Sequence, residues 1–172
     1  PVKVTLRKIN EDKIIFDSRD MDTHGEFTEI SELQNCSDPY DPFALQKAAL
    51  LVCGILPVQG YELKEILHRL GGGIFMSTEV VNVPKGSGLG TSSILAGACV
   101  KALFEFVGIE YTQEDLYDHV LCMEQLMSTG GGWQDQVGGL STGAKYITAE
   151  PGMHQYPKVK ELELSEKTKN EL

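Results

Sequence analysis

The pattern of apolar, polar and β-branched side chains predicts strands in four parts of the chain. Residues 2–9 alternate in this way, and residues 14–16 continue the pattern after a polar turn. Residues 74–83 are rich in β-branched side chains, and residues 144–148 form another strand-like run. An acidic segment, 17–38, follows the first two predicted strands.

Apolar residues at helical spacing predict helices between these strands. The spacing occurs over residues 43–55 and 61–70, and it recurs over 94–106 and 112–128. Thr112 begins the last of these runs and is followed by acidic residues, which is typical of a helix N-terminus. The pattern therefore predicts a chain that mixes strands with helices.

The composition allows one folded domain and disfavours several classes of partner. With 172 residues, 41% of them hydrophobic, the chain can bury a sizeable core. Its net charge of −10 disfavours nucleic acid and anionic membranes, since both bind clustered Lys and Arg. No signal peptide or membrane-spanning apolar run is found, and the four cysteines contain no Cys-x-x-Cys pair. We expect a cytoplasmic protein with reduced thiols and without a nucleic-acid or membrane partner.

A glycine-rich stretch lies between a predicted strand and a predicted helix. Residues 83–93 read Val-Pro-Lys-Gly-Ser-Gly-Leu-Gly-Thr-Ser-Ser. Glycines let backbone N–H groups come close to an anion, and the unpaired N–H groups at the start of the following helix point at it. The stretch is therefore typical of a phosphate-binding loop, and a glycine-rich turn without a ligand is the alternative.

Two common phosphate-binding patterns do not fit this spacing. A P-loop ends in Gly-Lys followed by Ser or Thr, whereas Gly90 is followed by Thr91 and Lys85 precedes the glycines. The dinucleotide fingerprint fails because its third glycine would fall on Thr91. Both patterns are therefore disfavoured.

Two carboxylates downstream are candidates for chemistry. The segment 130–139 reads Gly-Gly-Gly-Trp-Gln-Asp-Gln-Val-Gly-Gly, which we interpret as a loop that can hold Asp135 against a ligand. A helix-capping or turn aspartate is the alternative. Glu124 falls at the edge of the apolar stripe of the helix predicted over 112–128, where a carboxylate is costly unless it is paired or binds a metal. For Glu124, the alternative is an ordinary surface glutamate.

Residues 84–93 resemble the second motif of the GHMP small-molecule kinases, Pro-x-x-x-Gly-Leu-x-Ser-Ser-Ala. Thr91 stands at the first serine of that motif and keeps a hydroxyl, Ser92 matches the second, and Ser93 replaces the alanine. Together with Gly-Gly-Trp-Gln-Asp-Gln at 131–136, the motif is similar to that of the L-fucose kinase branch. The resemblance extends over about residues 1–148.

The resemblance implies a role for each residue of these segments. Nine residues would bind the phosphates of ATP: Lys85, Gly86, Ser87, Gly88, Leu89, Gly90, Thr91, Ser92 and Ser93. Ser92 and Glu124 would bind Mg²⁺, and Asp135 would be the catalytic residue at the sugar hydroxyl. The sugar would be contacted by Gly131, Gly132, Trp133 and Asp135.

A weakly basic aspartate is sufficient for this role. Phosphoryl transfer passes through a loose transition state with little bonding to the nucleophile, so positioning and charge stabilisation do most of the work. Asp135 would need only to orient the hydroxyl and accept its proton late in the reaction.

The resemblance also implies an α+β fold with a mostly antiparallel sheet covered by helices, as in the N-terminal domain of these kinases. We assign residues 1–158 to this domain, and 159–172 to the start of a connection or a polar tail. The chain opens with Pro1 in mid-strand, and the first and third motifs of the family are absent. We therefore expect a fragment that lacks the C-terminal kinase domain and is inactive alone.

The implied activity of the parent protein is ATP-dependent phosphorylation of the anomeric hydroxyl of L-fucose, which gives fucose 1-phosphate. Another sugar 1-kinase, acting on a heptose phosphate or galactose, is an alternative because specificity contacts lie largely in segments absent from this sequence. A nucleotide-binding domain without catalysis is a second alternative from a different class.

Overall fold

A computed structural model describes most of the chain: residues 1–57, 59–83, 88–129, 132–152 and 155–171. A mixed sheet and five helices of eight or more residues account for most of these residues. No helix in these ranges is both long and apolar enough to cross a lipid bilayer.

The central sheet contains strands β1 (Val2–Ile9), β2 (Ile14–Ser18), β3 (Thr23–Phe27) and β4 (Gly73–Val80) in the order β1-β4-β2-β3. β1 pairs with β4 and β2 pairs with β3 in antiparallel register, whereas β2 and β4 are parallel. β4 is therefore central, and it leads directly into the glycine-rich stretch predicted to bind phosphate.

Five helices follow or flank this sheet: α1 (Ala44–Val52), α2 (Leu63–Leu70), α3 (Thr91–Val107), α4 (Gln113–Leu126) and α5 (Trp133–Leu140). α3 packs on β1 and also contacts α1, α4 and α5, while α2 packs against β4. α3 is thus the helix around which the others are arranged.

The core between sheet and helices is apolar. Several of its side chains are almost completely buried: Phe16, Leu33, Leu50, Leu67, Met76, Leu103 and Met123. Burial of this apolar area is the main source of stability in such a fold.

α4 begins where the sequence predicts. The Thr112 hydroxyl accepts a hydrogen bond from the Asp115 N–H, and the Asp115 carboxylate accepts one from the Thr112 N–H at 2.7 Å. This capping box satisfies two N–H groups that a helix start leaves unpaired. The Thr112 N–H and the Thr112 hydroxyl both donate to the Asp115 carboxylate, and these bonds lower the pKa of this carboxyl because they stabilise its charged form.

The structure confirms the predicted α+β fold with a mostly antiparallel sheet flanked by helices. Elements that the sequence did not predict are also present, among them β3, α5 and a short helix, α6 (Glu166–Glu171). Strand β6 (Lys158–Glu161) pairs antiparallel with β5 (Lys145–Thr148) across the boundary drawn at residue 158.

Candidate active site

The start of α3 leaves backbone donors without a side-chain cap. Gly90 is the N-cap residue, has φ 62°, and lies in the left-handed region that glycine adopts without steric cost. No side chain of the described residues caps this end, and no acidic residue lies in its first turn. The N–H groups and the positive end of the helix dipole are therefore available to an anion.

The three hydroxyl residues at this end differ in exposure. Thr91 is partly buried, Ser92 is exposed and Ser93 is buried. Successive residues of a helix point about 100° apart, so Ser92 and Ser93 face different surroundings. The two residues that precede Gly90 are Gly88 and Leu89, and the Leu89 side chain is exposed.

Asp135 lies in the first turn of α5, which corrects our interpretation of residues 130–139 as a loop. Residues 133–140 are helical, with Gly132 as the N-cap. Helix formation here is physically reasonable because α5 packs against α3 and α4, and such tertiary contacts outweigh the low helix propensity of glycine.

Two glycines allow α3 and α5 to pack closely. A side chain on Gly97 would overlap Leu140, and a Cβ on Gly139 would lie 2.6 Å from Cγ1 of Ile94. These two contacts advance along both helices in the same direction, so the helices run parallel and their N-termini lie at the same end.

This packing brings Asp135 to the start of α3. A Cβ on Gly90 would lie 3.5 Å from Cβ and Cγ of Asp135 and 3.7 Å from its Oδ1. The Asp135 carboxylate is exposed and thus lies beside the proposed phosphate-binding end of α3. The structure therefore brings together two features that are 45 residues apart in the sequence.

Glu124 is buried and its carboxylate is hydrogen-bonded. The Ser93 hydroxyl donates to Glu124 Oε1 at 2.6 Å, and the two residues are 2% and 9% exposed. Glu124 is therefore not an exposed surface residue. The sequence analysis grouped Glu124 with Ser92, but the described hydroxyl that bonds to it is that of Ser93.

Thr129 holds the backbone of Glu124. Its N–H and its hydroxyl both donate to the Glu124 carbonyl, at 3.1 Å and 2.9 Å. Glu124 is thus fixed at its side chain by α3 and at its carbonyl by the residue that follows α4.

The donor atoms present fit Mg²⁺ bound together with a phosphate ligand. Mg²⁺ takes few protein ligands and completes its octahedron with water and phosphate oxygens. The Glu124 carboxylate and the hydroxyls at the start of α3 are such oxygen donors. Within the described ranges, no three His, Cys, Asp or Glu side chains are arranged to hold a metal by themselves.

Gln136 is a polar residue that the sequence analysis did not single out. Its side chain is 1% exposed, and neither its Oε1 nor its Nε2 has a hydrogen-bond partner among the residues that the structure describes. It precedes Leu140 by one helical turn, so it lies on the side of α5 that faces α3. The sequence did not predict this burial, because Gln136 is polar, follows Asp135 and lies in a glycine-rich segment.

The remaining predicted residues are only partly placed. The Trp133 indole N–H donates to Gln155 Oε1 at 2.7 Å, so this polar group is already paired. Gly132 caps α5. The predicted contacts of Trp133 and Gly132 with a sugar stay predictions. Four predicted site residues lie outside the described residues: Lys85, Gly86, Ser87 and Gly131.

The arrangement combines an anion-binding helix end with an exposed carboxylate and a buried one. Such a site can bind a phosphorylated ligand at the start of α3, and Asp135 can orient a hydroxyl group beside it.

Comparisons with known proteins agree with this geometry. A family model described as the GHMP kinases N terminal domain matches residues 50–143, which include α3, α4 and α5. The fold is also similar to a solved mevalonate kinase, with a TM-score of 0.71 and 15% sequence identity. That match covers 94% of this chain and 46% of the kinase.

Two longer proteins are similar in sequence. The chain is 37% identical over 164 residues to an L-fucokinase/L-fucose-1-P guanylyltransferase of Bacteroides fragilis, and the match covers 93% of this chain. It is 47% identical over 113 residues, 66% of the chain, to a bifunctional fucokinase/GDP-fucose pyrophosphorylase of Arabidopsis thaliana. These matches span only 17% and 10% of the two relatives. Because the family model matches more than half of this chain, the chain belongs to the GHMP kinases.

Proposed function

We propose that the full-length protein carrying this chain is an ATP-dependent sugar kinase that converts L-fucose to fucose 1-phosphate. One observation carries the proposal: the Asp135 side chain lies against Gly90 at the uncapped start of α3. A phosphate donor bound at that helix end would lie beside the carboxylate that receives the proton of the acceptor hydroxyl.

In the proposed reaction the oxygen of the anomeric hydroxyl forms a bond to the γ-phosphorus of ATP. The bond between this phosphorus and the β,γ-bridging oxygen breaks, and ADP leaves with that electron pair. The hydroxyl proton moves to the Asp135 carboxylate. Asp135 is exposed and ready to meet a second substrate, while the N–H groups at the start of α3 hold the phosphates.

Thr91, Ser92, Glu124 and the described part of the glycine-rich stretch would hold the nucleotide and Mg²⁺. When bound, Mg²⁺ neutralises charge on the phosphate oxygens. Glu124 supplies a negative charge at this place, and its burial among the helices keeps its carbonyl and carboxylate fixed. Ser92 is exposed at the start of α3, which leaves its hydroxyl accessible to a ligand.

L-Fucose as the substrate is supported by the names of the two sequence relatives, at 37% and 47% identity. Because the chain spans 17% or less of these proteins, activity is proposed for the full-length protein and not for this chain alone.

The test is ADP release by the purified full-length protein with Mg-ATP and one sugar at a time: L-fucose, galactose, mannose or a heptose phosphate. Phosphorus NMR of the product distinguishes a 1-phosphate from other phosphate esters. We expect ADP release that depends on L-fucose and a fucose 1-phosphate signal.

Activity on another sugar would retain the mechanism and replace the substrate. ATP binding without ADP release on any of the sugars would instead favour a nucleotide-binding domain without catalysis, and would contradict the proposed role of Asp135.

A further inference from the structure

The hydroxyl of Ser93 differs from its two neighbours at the start of α3. Thr91 is partly buried and Ser92 is exposed, but Ser93 is 2% exposed and its hydroxyl points at the carboxylate of Glu124 on α4. The Ser93 hydroxyl is therefore turned away from a ligand that arrives from solvent. Any effect of this hydroxyl on the site acts through Glu124, with which it forms its hydrogen bond.

The contact between Ser93 and Glu124 is short. Its length of 2.6 Å lies in the range of an O–H donor bonded to a charged carboxylate. A carboxylate that is 9% exposed requires such a donor, because burial without one costs several kcal/mol. Only Oε1 is used: Oε2 accepts no hydrogen bond from the residues that the structure describes.

The orientation of Glu124 depends on few groups. A glutamate side chain has three rotatable bonds, and fixing them costs conformational entropy. Thr129 holds the backbone carbonyl, but Ser93 alone among the described residues holds the carboxylate. Without the Ser93 hydroxyl, no hydrogen bond from the described residues would hold this carboxylate.

We propose that Ser93 is a positioning residue: its hydroxyl holds Oε1 of Glu124, so that Oε2 is left to bind Mg²⁺ together with the nucleotide. This inference rests on the proposed function only in that a metal-nucleotide complex binds at the start of α3. Mg²⁺ tolerates little deviation from octahedral geometry, and groups that orient a metal ligand typically contribute about 10-fold to 100-fold in metal affinity.

A direct measurement of metal binding tests the proposal without a sugar. The full-length protein is saturated with a non-hydrolysable ATP analogue, and free Mn²⁺ is followed by electron paramagnetic resonance during a titration. We expect Ser93→Ala to raise the Mn²⁺ dissociation constant of the protein-nucleotide complex about tenfold. An unchanged or lower dissociation constant would overturn the proposal.

The chain offers a matched control in Ser77. Its hydroxyl donates to Asp17 Oδ2 at 3.1 Å, and Ser77 is 4% exposed, so it is also a buried serine bonded to a carboxylate. This pair joins β4 to β2 in the sheet. Ser77→Ala should reduce stability to a similar extent as Ser93→Ala while leaving the Mn²⁺ dissociation constant unchanged.

A double-mutant cycle distinguishes action through Glu124 from a general loss of structure. Glu124→Gln removes the charge but keeps an oxygen that the Ser93 hydroxyl can reach, and should weaken Mn²⁺ binding more than Ser93→Ala. In the Glu124→Gln background, Ser93→Ala should have no further effect. Equal effects in both backgrounds would show that Ser93 acts independently of Glu124, and would overturn the proposal even if Ser93→Ala alone were unstable.

The result is separable from that of the sugar test. A wild-type protein that binds Mn²⁺ and the analogue but phosphorylates none of the sugars would contradict the proposed function and still allow Ser93 to be tested. A wild-type protein that binds no Mn²⁺ with the analogue would overturn the proposal for Ser93.

Discussion

The two ends of helix α3 show opposite chemistry. At its amino end, hydroxyls, the buried pair Ser93–Glu124 and the Asp135 carboxylate lie within one or two helical turns. At its carboxyl end, about 25 Å away, the chain turns at Gly108 beside an apolar cavity of about 350 Å³. Cys53, Ile66, Leu70, Val107 and Ile109 line that cavity. One helix therefore carries hydroxyls and neighbouring carboxylates at one end and borders an apolar cavity at the other.

The amino end is where a change of a single atom should have the largest effect. Asp135→Asn keeps the size of the side chain but removes the carboxylate proposed to accept the hydroxyl proton. We expect turnover of the full-length protein to fall about 10²–10⁴-fold with little change in nucleotide affinity. The measurement is kcat by coupled ADP release, with nucleotide binding by calorimetry.

Asp118→Asn is the matched control for this variant. Asp118 is an exposed aspartate on α4, so its change to asparagine should leave turnover unchanged. Normal turnover in Asp135→Asn would show that Asp135 has no part in the mechanism. It would also contradict the proposed difference in chemistry between the two ends of α3.

At the carboxyl end of α3, burial should make the Cys53 thiol less reactive. Burial raises the pKa of the Cys53 thiol from an ordinary value of 9.0 to about 12, because the thiolate loses hydration. At pH 8 its thiolate fraction is thus reduced about a thousandfold, and it should rise about tenfold per pH unit up to that pKa.

Reaction with Ellman's reagent, followed by mass spectrometry, measures this difference. Cys122 is exposed on α4 and free, and should react first. Equal rates for Cys53 and Cys122 at pH 8 would mean that the cavity end of the fold opens readily in solution.

The middle of α3 should matter for stability and not for chemistry. Leu103 is completely buried, and Leu103→Ala removes apolar contacts and leaves a cavity. We expect a loss of about 2–5 kcal/mol in the free energy of unfolding, measured with urea, with turnover per folded molecule unchanged. A loss of turnover without a loss of stability would show that the two ends of α3 are not separable.

A change in the spacing between α3 and α5 should have a moderate effect on both stability and turnover. Gly97→Ala introduces a methyl group against Leu140, so we expect a loss of about 1–3 kcal/mol in stability and a lower turnover. Gly138→Ala is the paired control, since a Cβ there meets no atom within 4 Å. It should instead stabilise the helix by up to about 1 kcal/mol. Thermal unfolding of both variants, with turnover at low temperature, checks the pair.

The sequence predicted the elements whose signal is local. α3 and α4 were found because their apolar residues recur at helical spacing, and Thr112 marked the start of α4 through its own side chain. β3 was missed because Thr-His-Gly-Glu-Phe carries little strand propensity, and its pairing with β2 is what makes it a strand. α5 was missed because its glycines disfavour a helix until α3 packs against it.

The sequence names the candidate site residues but not their geometry. The motif identified the segment that includes Gly90 and Ser93, and the helical stripe identified Glu124. The hydrogen bond between Ser93 and Glu124 depends on how α3 packs against α4. The spacing of apolar residues along the sequence does not predict this packing. The replacement of alanine by Ser93 was the one signal in the sequence that could have pointed to this bond.

The two hydrogen bonds from Thr129 to the Glu124 carbonyl have a consequence for motion within the site. Thr129 is tied to α4, and only residues 130–132 separate it from Trp133 at the start of α5. Glu124 lies in the last turn of α4, and Thr129 is bonded to its carbonyl, so a shift of this turn should change both the Thr129 bonds and the position of the Glu124 carboxylate when substrates bind. Amide hydrogen exchange at Thr129 reports this coupling, and it should slow when a nucleotide occupies the start of α3.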